Sequence, residues 1–243
     1  MKKSLIILSL SIGLFVFGQT KGKITYKLIV KKDSLEQPYE NSKNTEAKNG
    51  VLEMLHDAQP IESYLVFNND KSIYYADPDY NIPKWENFDD GISLTPTGVS
   101  LTWLRAGGKG LYYNDFSKEF HIKQTDVFGP LKRLIVEKKR KWILKDETKI
   151  INGYLCNLAV IEKLNNKKLK AWYTTEVPIK HAPTDYFGLP GLIVKIEDVI
   201  YSWTITKIDF ESNEADIIEE PTEGDLITLD EYRRLAGNPF GKE

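Results

Sequence analysis

The chain has 243 residues, and its 33 basic and 35 acidic side chains give a net charge of −2 with both signs mixed along the sequence. This balance disfavours a nucleic-acid-binding protein, since such proteins are usually basic. The single cysteine, Cys156, excludes an internal disulfide, so a chain of this length must be stabilised by its hydrophobic core.

Residues 1–18 have the pattern of a secretory signal peptide. Two lysines precede an apolar run over residues 5–17, and small or medium-sized residues lie before a predicted cut after Gly18. The run is shorter than the roughly 20 residues that a membrane-spanning helix needs. We therefore expect a mature protein of one β-rich domain, residues 19–243, that is periplasmic or secreted and has no transmembrane segment.

Alternating apolar and polar residues predict strands along most of the remaining chain. The first strand covers residues 23–30, and Asn68-Asn69-Asp70 joins two short strands as a hairpin turn. Further predicted strands cover 100–105, 110–115, 118–124, 131–137, 140–146, 154–163, 168–175, 191–198 and 201–210. Because the connections between them are short, antiparallel pairing is favoured. The predicted fold class is mainly β, with a single antiparallel, curved sheet or half-barrel and one or two short helices.

Two segments have helical patterns. Residues 46–56 place apolar side chains on one face, and residues 228–236 begin with a capping box formed by Thr228 and Glu231. The polar, proline-containing stretches 31–45 and 77–99 are predicted loops.

The glycine-rich stretch Gly107-Gly108-Lys109-Gly110 lies between two predicted strands, so we interpret it as a hairpin turn. A phosphate-binding loop would instead need a helix after the glycines. The sequence contains no dinucleotide-binding or nucleophile-elbow motif, and we predict neither a cofactor nor a metal site.

The histidines do not form the close pairs that are typical of zinc or copper sites. The chain also has no recognisable set of nucleophile, base and orienting residue, so we predict a non-catalytic protein. Two alternatives remain open. One is a metal-handling envelope protein that uses His181, His121 or the acidic residues of 77–90, and the other is a hydrolase with an unrecognised site.

Pairs of neighbouring aromatic residues recur in the predicted strands, and adjacent strand residues point to opposite faces of a sheet. Each pair therefore places one ring on the core face and one on the other face. We hypothesise that one face of the sheet forms a groove for an apolar or peptide ligand or for an envelope protein. The alternative is that a helix or loop of the protein covers the second ring. The predicted ligand-binding residues are Tyr74, Tyr112, Trp172, Tyr186 and Phe187.

A glycine- and proline-containing hexapeptide at residues 188–193 is the most distinctive segment: Gly188, Leu189, Pro190, Gly191, Leu192 and Ile193. Pro190 has the φ that the second position of a tight turn needs, and Gly191 can adopt the positive φ of the third position in a type II turn. We predict a turn that leads into a strand, with Leu189 and Leu192 packed in the core.

This hexapeptide resembles the signature of the GLPGLI family, a group of exported bacterial proteins without an established activity. Residues 145–159, with Gly-Tyr-x-Cys-x-x-Ala, and residues 170–178, with Ala-Trp-Tyr and then x-Pro, resemble two further family segments. Ala182-Pro183 stands where the family often has Gly-Pro. The resemblance implies an exported cell-envelope protein. The order of elements is similar to the lipoprotein-carrier fold, an antiparallel half-barrel whose apolar face holds acyl chains.

Overall fold

A computed structural model of the protein describes residues 21–34, 45–56, 58–78, 101–125, 131–135, 140–162 and 168–235. The predicted signal peptide, residues 1–18, lies outside this part of the chain, as does most of each predicted loop at 31–45 and 77–99. Within the described ranges, no helix combines the length and the apolar character that crossing a membrane requires.

The described residues form twelve strands, three α-helices and two 3₁₀ turns. The strands are β1 (Gly22–Val30), β2 (Ile61–Phe67), β3 (Lys71–Ala76), β4 (Leu111–Asp115), β5 (Phe120–Thr125), β6 (Lys132–Ile135), β7 (Ile143–Ile151), β8 (Tyr154–Glu162), β9 (Lys168–Thr174), β10 (Leu192–Glu197), β11 (Tyr201–Asp209) and β12 (Asp225–Ile227). The helices are α1 (Thr45–His56), α2 (Leu101–Ala106) and α3 (Leu229–Leu235), and the 3₁₀ turns are Lys32–Ser34 and Asn213–Asp216.

All twelve strands belong to one sheet, in the order β12-β6-β5-β4-β3-β2-β1-β11-β10-β9-β8-β7. Strands β1 to β6 form one meander and β7 to β11 form a second, and the pairing of β1 with β11 joins them. The prediction of a mainly β fold with one sheet is confirmed. The prediction of wholly antiparallel pairing is wrong at one edge. The chain returns after β11 and adds the three-residue strand β12 parallel to β6.

The sheet is curved, because strands that are far apart in it contact the same residue. His121, on β5, stacks on the Phe187 ring with ring centroids 4.2 Å apart. Trp142, directly before β7 at one edge of the sheet, donates a hydrogen bond from Nε1 to the Phe187 carbonyl oxygen at 3.2 Å. With strands about 4.8 Å apart, a flat sheet would separate β5 and β7 by roughly 40 Å. The two parts of the sheet therefore curve toward Phe187.

One face of the sheet, which we call the core-facing side, carries the main hydrophobic core. On β1, alternate residues from Ile24 to Val30 are buried, as the strand period requires. Helix α2 packs over β1, β2 and β3 on this side. Residues 175–191, which we call the β9–β10 connection, also contribute to this core. The hydroxyl of Tyr26 donates a hydrogen bond to the carbonyl oxygen of Ile193 at 2.8 Å, inside this core.

Residues 101–106 form helix α2, so the predicted strand at 100–105 is wrong. Thr102, Trp103 and Ala106 are all buried, which is the spacing of one helical face rather than the alternation of a strand. Gly107-Gly108-Lys109-Gly110 consequently connects a helix to a strand and is not a hairpin turn.

The hairpin prediction at residues 68–70 and the strand prediction at residues 140–146 have different outcomes. The turn after Phe67 is confirmed, since β2 and β3 pair across it. The predicted strand at 140–146 is wrong in its bounds, because β7 extends to Ile151. Asn152 and Gly153, with φ of 50° and 84°, then form the two-residue turn into β8. Asn-Gly is a strong hairpin signal at a turn that needs positive φ at both positions.

Both helical predictions are confirmed, by α1 and α3. Thr228 caps α3 as expected. Its Oγ1 accepts a hydrogen bond from the Glu231 backbone N–H at 3.1 Å, and its carbonyl oxygen accepts one from the Tyr232 N–H at 3.0 Å.

The signature hexapeptide has a different geometry from the predicted type II turn. The positive φ, 107°, is at Gly188 and not at Gly191. Gly191 is needed for another reason. A Cβ there would overlap the carbonyl oxygen of Thr174 and lie 2.9 Å from its carbonyl carbon, so only glycine allows this approach to β9. The predicted packing of Leu189 and Leu192 is confirmed, since both are buried.

Replacing Gly191 by alanine should therefore destabilise the protein. We expect Gly191→Ala to lower the free energy of unfolding by about 2 kcal/mol or more, because two stretches of backbone must separate. Gly50→Ala is the control. A Cβ at Gly50, in α1, meets nothing within 4 Å, and alanine should stabilise the helix by roughly 0.5–1 kcal/mol. Urea unfolding of both variants measures the two effects. A Gly191→Ala variant as stable as the wild type would contradict the close approach.

Candidate functional site

Cations and tyrosines gather on the core-facing side of the sheet, and we call this group the basic–tyrosine cluster. Strand register places Tyr74, Tyr112 and Lys123 side by side on β3, β4 and β5. Helix α2 and the β9–β10 connection add further members from above the sheet. The cluster consists of Tyr74, Arg105, Tyr112, Lys123, Arg140, Asp185, Tyr186 and Asp198.

Arg105 connects helix α2 to two other parts of the chain. Its Nη2 donates to Asp198 Oδ2 at 3.1 Å and to the Tyr186 hydroxyl at 3.2 Å. The guanidinium also lies over two rings of β11, 5.1 Å from the Trp203 centroid and 5.6 Å from that of Tyr201. The Arg105 side chain is 32% exposed, so it lies at the boundary between the core and solvent.

Arg140 approaches the same tyrosine from the edge of the sheet where β7 begins. It lies just before β7, forms an ion pair with Asp185, and places its guanidinium carbon 5.4 Å from the Tyr186 ring centroid. Burial raises the pKa of Tyr186, and the positive charge of Arg105 opposes part of that rise. Tyr186 is therefore a neutral ring held between two arginines.

Lys123 is the cation of the cluster without a carboxylate partner. Its ammonium lies 5.3 Å from the Tyr112 ring centroid, a cation–π contact, and within the described ranges it forms no ion pair. Burial lowers the pKa of Lys123, and the charge of Asp185 opposes this. Both carboxylates of the cluster, Asp185 and Asp198, are already paired with arginines. The cluster therefore holds three cations against two carboxylates.

Three of the five predicted ligand-binding residues are brought together here. The Tyr74 and Tyr112 rings meet edge to face with centroids 5.9 Å apart, and burial raises the pKa of both hydroxyls. Tyr74 and Tyr186 are buried by the protein itself, at 0% and 5% exposure, while Tyr112 is partly exposed. Tyr74 and Tyr186 therefore fit the alternative interpretation of the aromatic pairs, in which the protein itself covers the second ring.

Trp172 lies on the opposite face from the cluster. Register aligns Trp203 of β11 with Ile196 of β10 and Ile196 with Ala171 of β9, so these three residues share the core-facing side. Trp172 follows Ala171 directly and must point the other way. The structure therefore does not bring Trp172 together with Tyr74, Tyr112 and Tyr186.

Phe187 contacts one buried histidine directly and is linked to a second one through the Phe116 ring. His121 stacks on Phe187, and the Phe116 ring lies 4.8 Å from His181 and 5.1 Å from His121. His181 Nε2 lies 2.8 Å from the Asn68 carbonyl oxygen, to which it donates. These histidines belong to an aromatic core. The described residues contain no group of three or more His, Cys, Asp or Glu that could hold a metal ion, and residues 79–90 of the acidic loop lie outside them.

Local sequence patterns do not identify the charged members of the cluster. They come from α2, β5, the stretch before β7, the β9–β10 connection and the turn after β10, so no local spacing joins them. The available signal was a single charge in an otherwise apolar pattern. Lys123 follows Phe120-His121-Ile122, and Arg105 ends a mostly apolar stretch.

The signature region is similar to a described family. Residues 161–195 match the model of a family described as "Protein of unknown function (Porph_ging)". These residues include β9, the β9–β10 connection and the first part of β10. The match thus shows similarity to an uncharacterised family over this part of the chain. No curated protein matches the chain.

The fold is similar to that of a solved protein. Structures of PNGF-II in the P21 and C2 space groups match with TM-scores of 0.50 and sequence identities of 13% and 12%. The matches cover 90% and 89% of this chain but 33% and 32% of the PNGF-II chain. This chain therefore spans about a third of the length of PNGF-II. At such low identity the likeness shows the fold alone.

The burial of His181 makes stability depend on pH. Burial lowers its pKa from 6.5 to about 4, with Lys180 nearby adding to the effect. Between these pH values the unfolded chain binds a proton that the folded protein does not, so stability falls as the pH decreases from 6.5 to 4. We expect His181→Gln, whose amide can still donate to Asn68, to remove up to roughly 3 kcal/mol of this loss.

Urea unfolding at pH 7, 5.5 and 4.5 measures this effect. His56→Gln is the matched control, because His56 is exposed at the end of α1 and should leave the pH dependence unchanged. Parallel pH profiles for the wild type and His181→Gln would contradict the prediction.

Proposed function

We propose that this protein is an exported, non-catalytic binding protein of the cell envelope, and that its ligand is an apolar or peptide molecule with an acidic group. The observation that supports the ligand class is Lys123, a half-buried cation without a carboxylate partner among the described residues. The signal-peptide pattern of residues 1–18 supports export to the periplasm or beyond.

An acidic group would complement Lys123 energetically. Removing an ammonium from water is unfavourable unless an opposite charge or hydrogen bonds compensate it. Its ammonium forms a cation–π contact with the Tyr112 ring, which is also the partly exposed aromatic of the cluster. A ligand carboxylate can pair with Lys123 while an adjoining apolar group packs on Tyr112. Arg105 and Arg140 add to the positive potential nearby.

The packing of the core restricts where such a ligand can bind. Tyr74 lies on β3, over which helix α2 packs, and Tyr186 is buried within the β9–β10 connection itself. Among the described residues, the two rings therefore do not line an open apolar groove. The proposed contact is therefore confined to Tyr112 and Lys123 at the boundary of the core. This favours a peptide or a small apolar acid.

We also propose membership of the GLPGLI family and a relationship to the lipoprotein-carrier fold. The hexapeptide at 188–193 supports the first, and it lies inside the part of the chain that matches an uncharacterised family. The single curved sheet, with a helix and a connection packed on its core-facing side, supports the second. Both relationships agree with a carrier or binding role, although a shared fold alone does not specify function.

Lys123→Met tests the proposed contact. The probe is an N-acetylated dipeptide of phenylalanine and alanine, prepared with a C-terminal acid or a C-terminal amide. We expect the wild type to bind the acid form more tightly, and Lys123→Met to weaken that binding about tenfold or more, because a hydrogen bond to a charged group contributes roughly 1.5–3 kcal/mol. Isothermal titration calorimetry measures both affinities.

Lys149→Met is the matched control, since Lys149 is exposed near the end of β7 that lies away from Arg140. It should bind the acid form as the wild type does. Equal affinity of the wild type for acid and amide would contradict the proposed role of Lys123.

A further inference from the structure

Strand β7 lies at one edge of the sheet and differs from every other described strand. It ends the strand order, and β8 is its one neighbour among the described strands. Eight of its nine residues are exposed and none is buried, whereas each of the other described strands has at least one buried residue. Proteins normally shorten, cover or charge a free edge, because an unpaired strand readily pairs with another chain. The long, exposed edge of β7 therefore needs a physical explanation.

Apolar side chains are exposed along this edge. Leu144, Ile150 and Leu155 are 57%, 70% and 53% exposed. Ile150 and Leu155 are cross-strand partners, and Leu144 aligns with Ala159 of β8, which in turn aligns with Ala171 of β9. Since residues two apart in a strand share a face, the three exposed side chains lie on the core-facing side. They form an apolar strip that a further strand at this edge would cover.

The backbone of β7 points hydrogen-bonding groups toward the same edge. The Leu155 N–H donates to the Glu176 carboxylate at 3.0 Å, and Glu176 follows β9, so Leu155 points its backbone groups away from β7. Its partner Ile150 consequently points its N–H and C=O away from β8. Backbone groups alternate in direction along a strand, so those of Thr148 point the same way as those of Ile150. Both residues can bond to an added strand.

The charges of β7 complement those of a second copy of the strand. Thr148 lies between Glu147 and Lys149. If two copies pair antiparallel about a two-fold axis at Thr148, Glu147 of each copy lies opposite Lys149 of the other. An axis at Lys145, Asp146, Glu147 or Lys149 would instead place that charged residue opposite itself. Within residues 145–149, Thr148 is therefore the position at which an axis opposes unlike charges without opposing like ones.

We propose that β7 pairs with β7 of a second copy of this chain, antiparallel and centred on Thr148. The pairing joins two twelve-stranded sheets into one continuous sheet and supplies partners for the backbone groups of Thr148 and Ile150. It also places Ile150 of one copy diagonally next to Leu144 of the other, on the core-facing side. Because the axis is two-fold, each of these contacts occurs twice in the dimer.

Sedimentation velocity of the purified protein over a range of concentrations tests the dimer. We expect a reversible equilibrium between monomer and dimer. Glu147→Lys places lysine opposite lysine on both sides of the axis, so two attractive pairs become repulsive. This change should raise the dissociation constant of the dimer about tenfold or more. Combining Glu147→Lys with Lys149→Glu restores both pairs and should return the dissociation constant to that of the wild type.

Glu219→Lys is the matched control, because Glu219 is exposed in the segment that leads to β12, at the other end of the strand order. It makes the same charge change and should leave the dimer unaffected. Thermal unfolding checks that each variant folds. Lys149→Met should weaken the dimer while it binds the acid peptide normally, so the dimer and the Lys123 contact can fail independently.

Hydrogen exchange at the Thr148 and Ile150 amides gives a second measurement, and it should slow as the dimer forms. Slow exchange in the monomer would overturn the proposal, because another segment of the same chain would then cover the edge. A dimer that Glu147→Lys leaves unchanged would also overturn it. A protein that stays monomeric up to about 1 mM, the weakest association expected of a small interface, would leave this edge to a strand of a different protein and overturn the proposal.

Discussion

The fold depends on the packing of the β9–β10 connection against the core-facing side of the sheet. Phe187 is the centre of this contact, because its ring stacks on His121 while its carbonyl oxygen accepts the Trp142 hydrogen bond. Burying a phenylalanine ring is favourable by roughly 1.5–3 kcal/mol, and the ring can be buried from both sides only if the sheet curves around it. Gly191 then allows the chain to return against β9.

The same packing creates the basic–tyrosine cluster. Asp185 and Tyr186 reach Arg140 and Arg105 because the connection brings them across the sheet. The packing of the connection also explains why most of the predicted ligand-binding residues are buried in the core. Once the connection and α2 cover the sheet, Tyr74 and Tyr186 pack inside, and Tyr112 with Lys123 remains at the boundary. The proposed contact at Lys123 and Tyr112 therefore lies where a charge is only partly removed from water.

Local patterns predicted much of the fold because they report which face of an element is buried. Alternation identified β1, and the capping box identified the beginning of α3. The pattern failed where one helical turn resembled a strand, at residues 101–106, and where a strand was too short to show a period, at β12. It also did not identify the charged site residues. Their positions depend on strand order and on the connection, which local spacing does not specify.

The sequence by itself determined a mainly β fold with one sheet, the absence of an internal disulfide, two of the helices, and the burial of Leu189 and Leu192. These features follow from composition and from hydrophobic period, which act over a few residues. Only the tertiary structure decided the curvature, the parallel edge, the need for glycine at position 191, and the pairing of Arg140 with Asp185. Each of these depends on contacts between segments distant in the chain, whose geometry is set when the whole core packs.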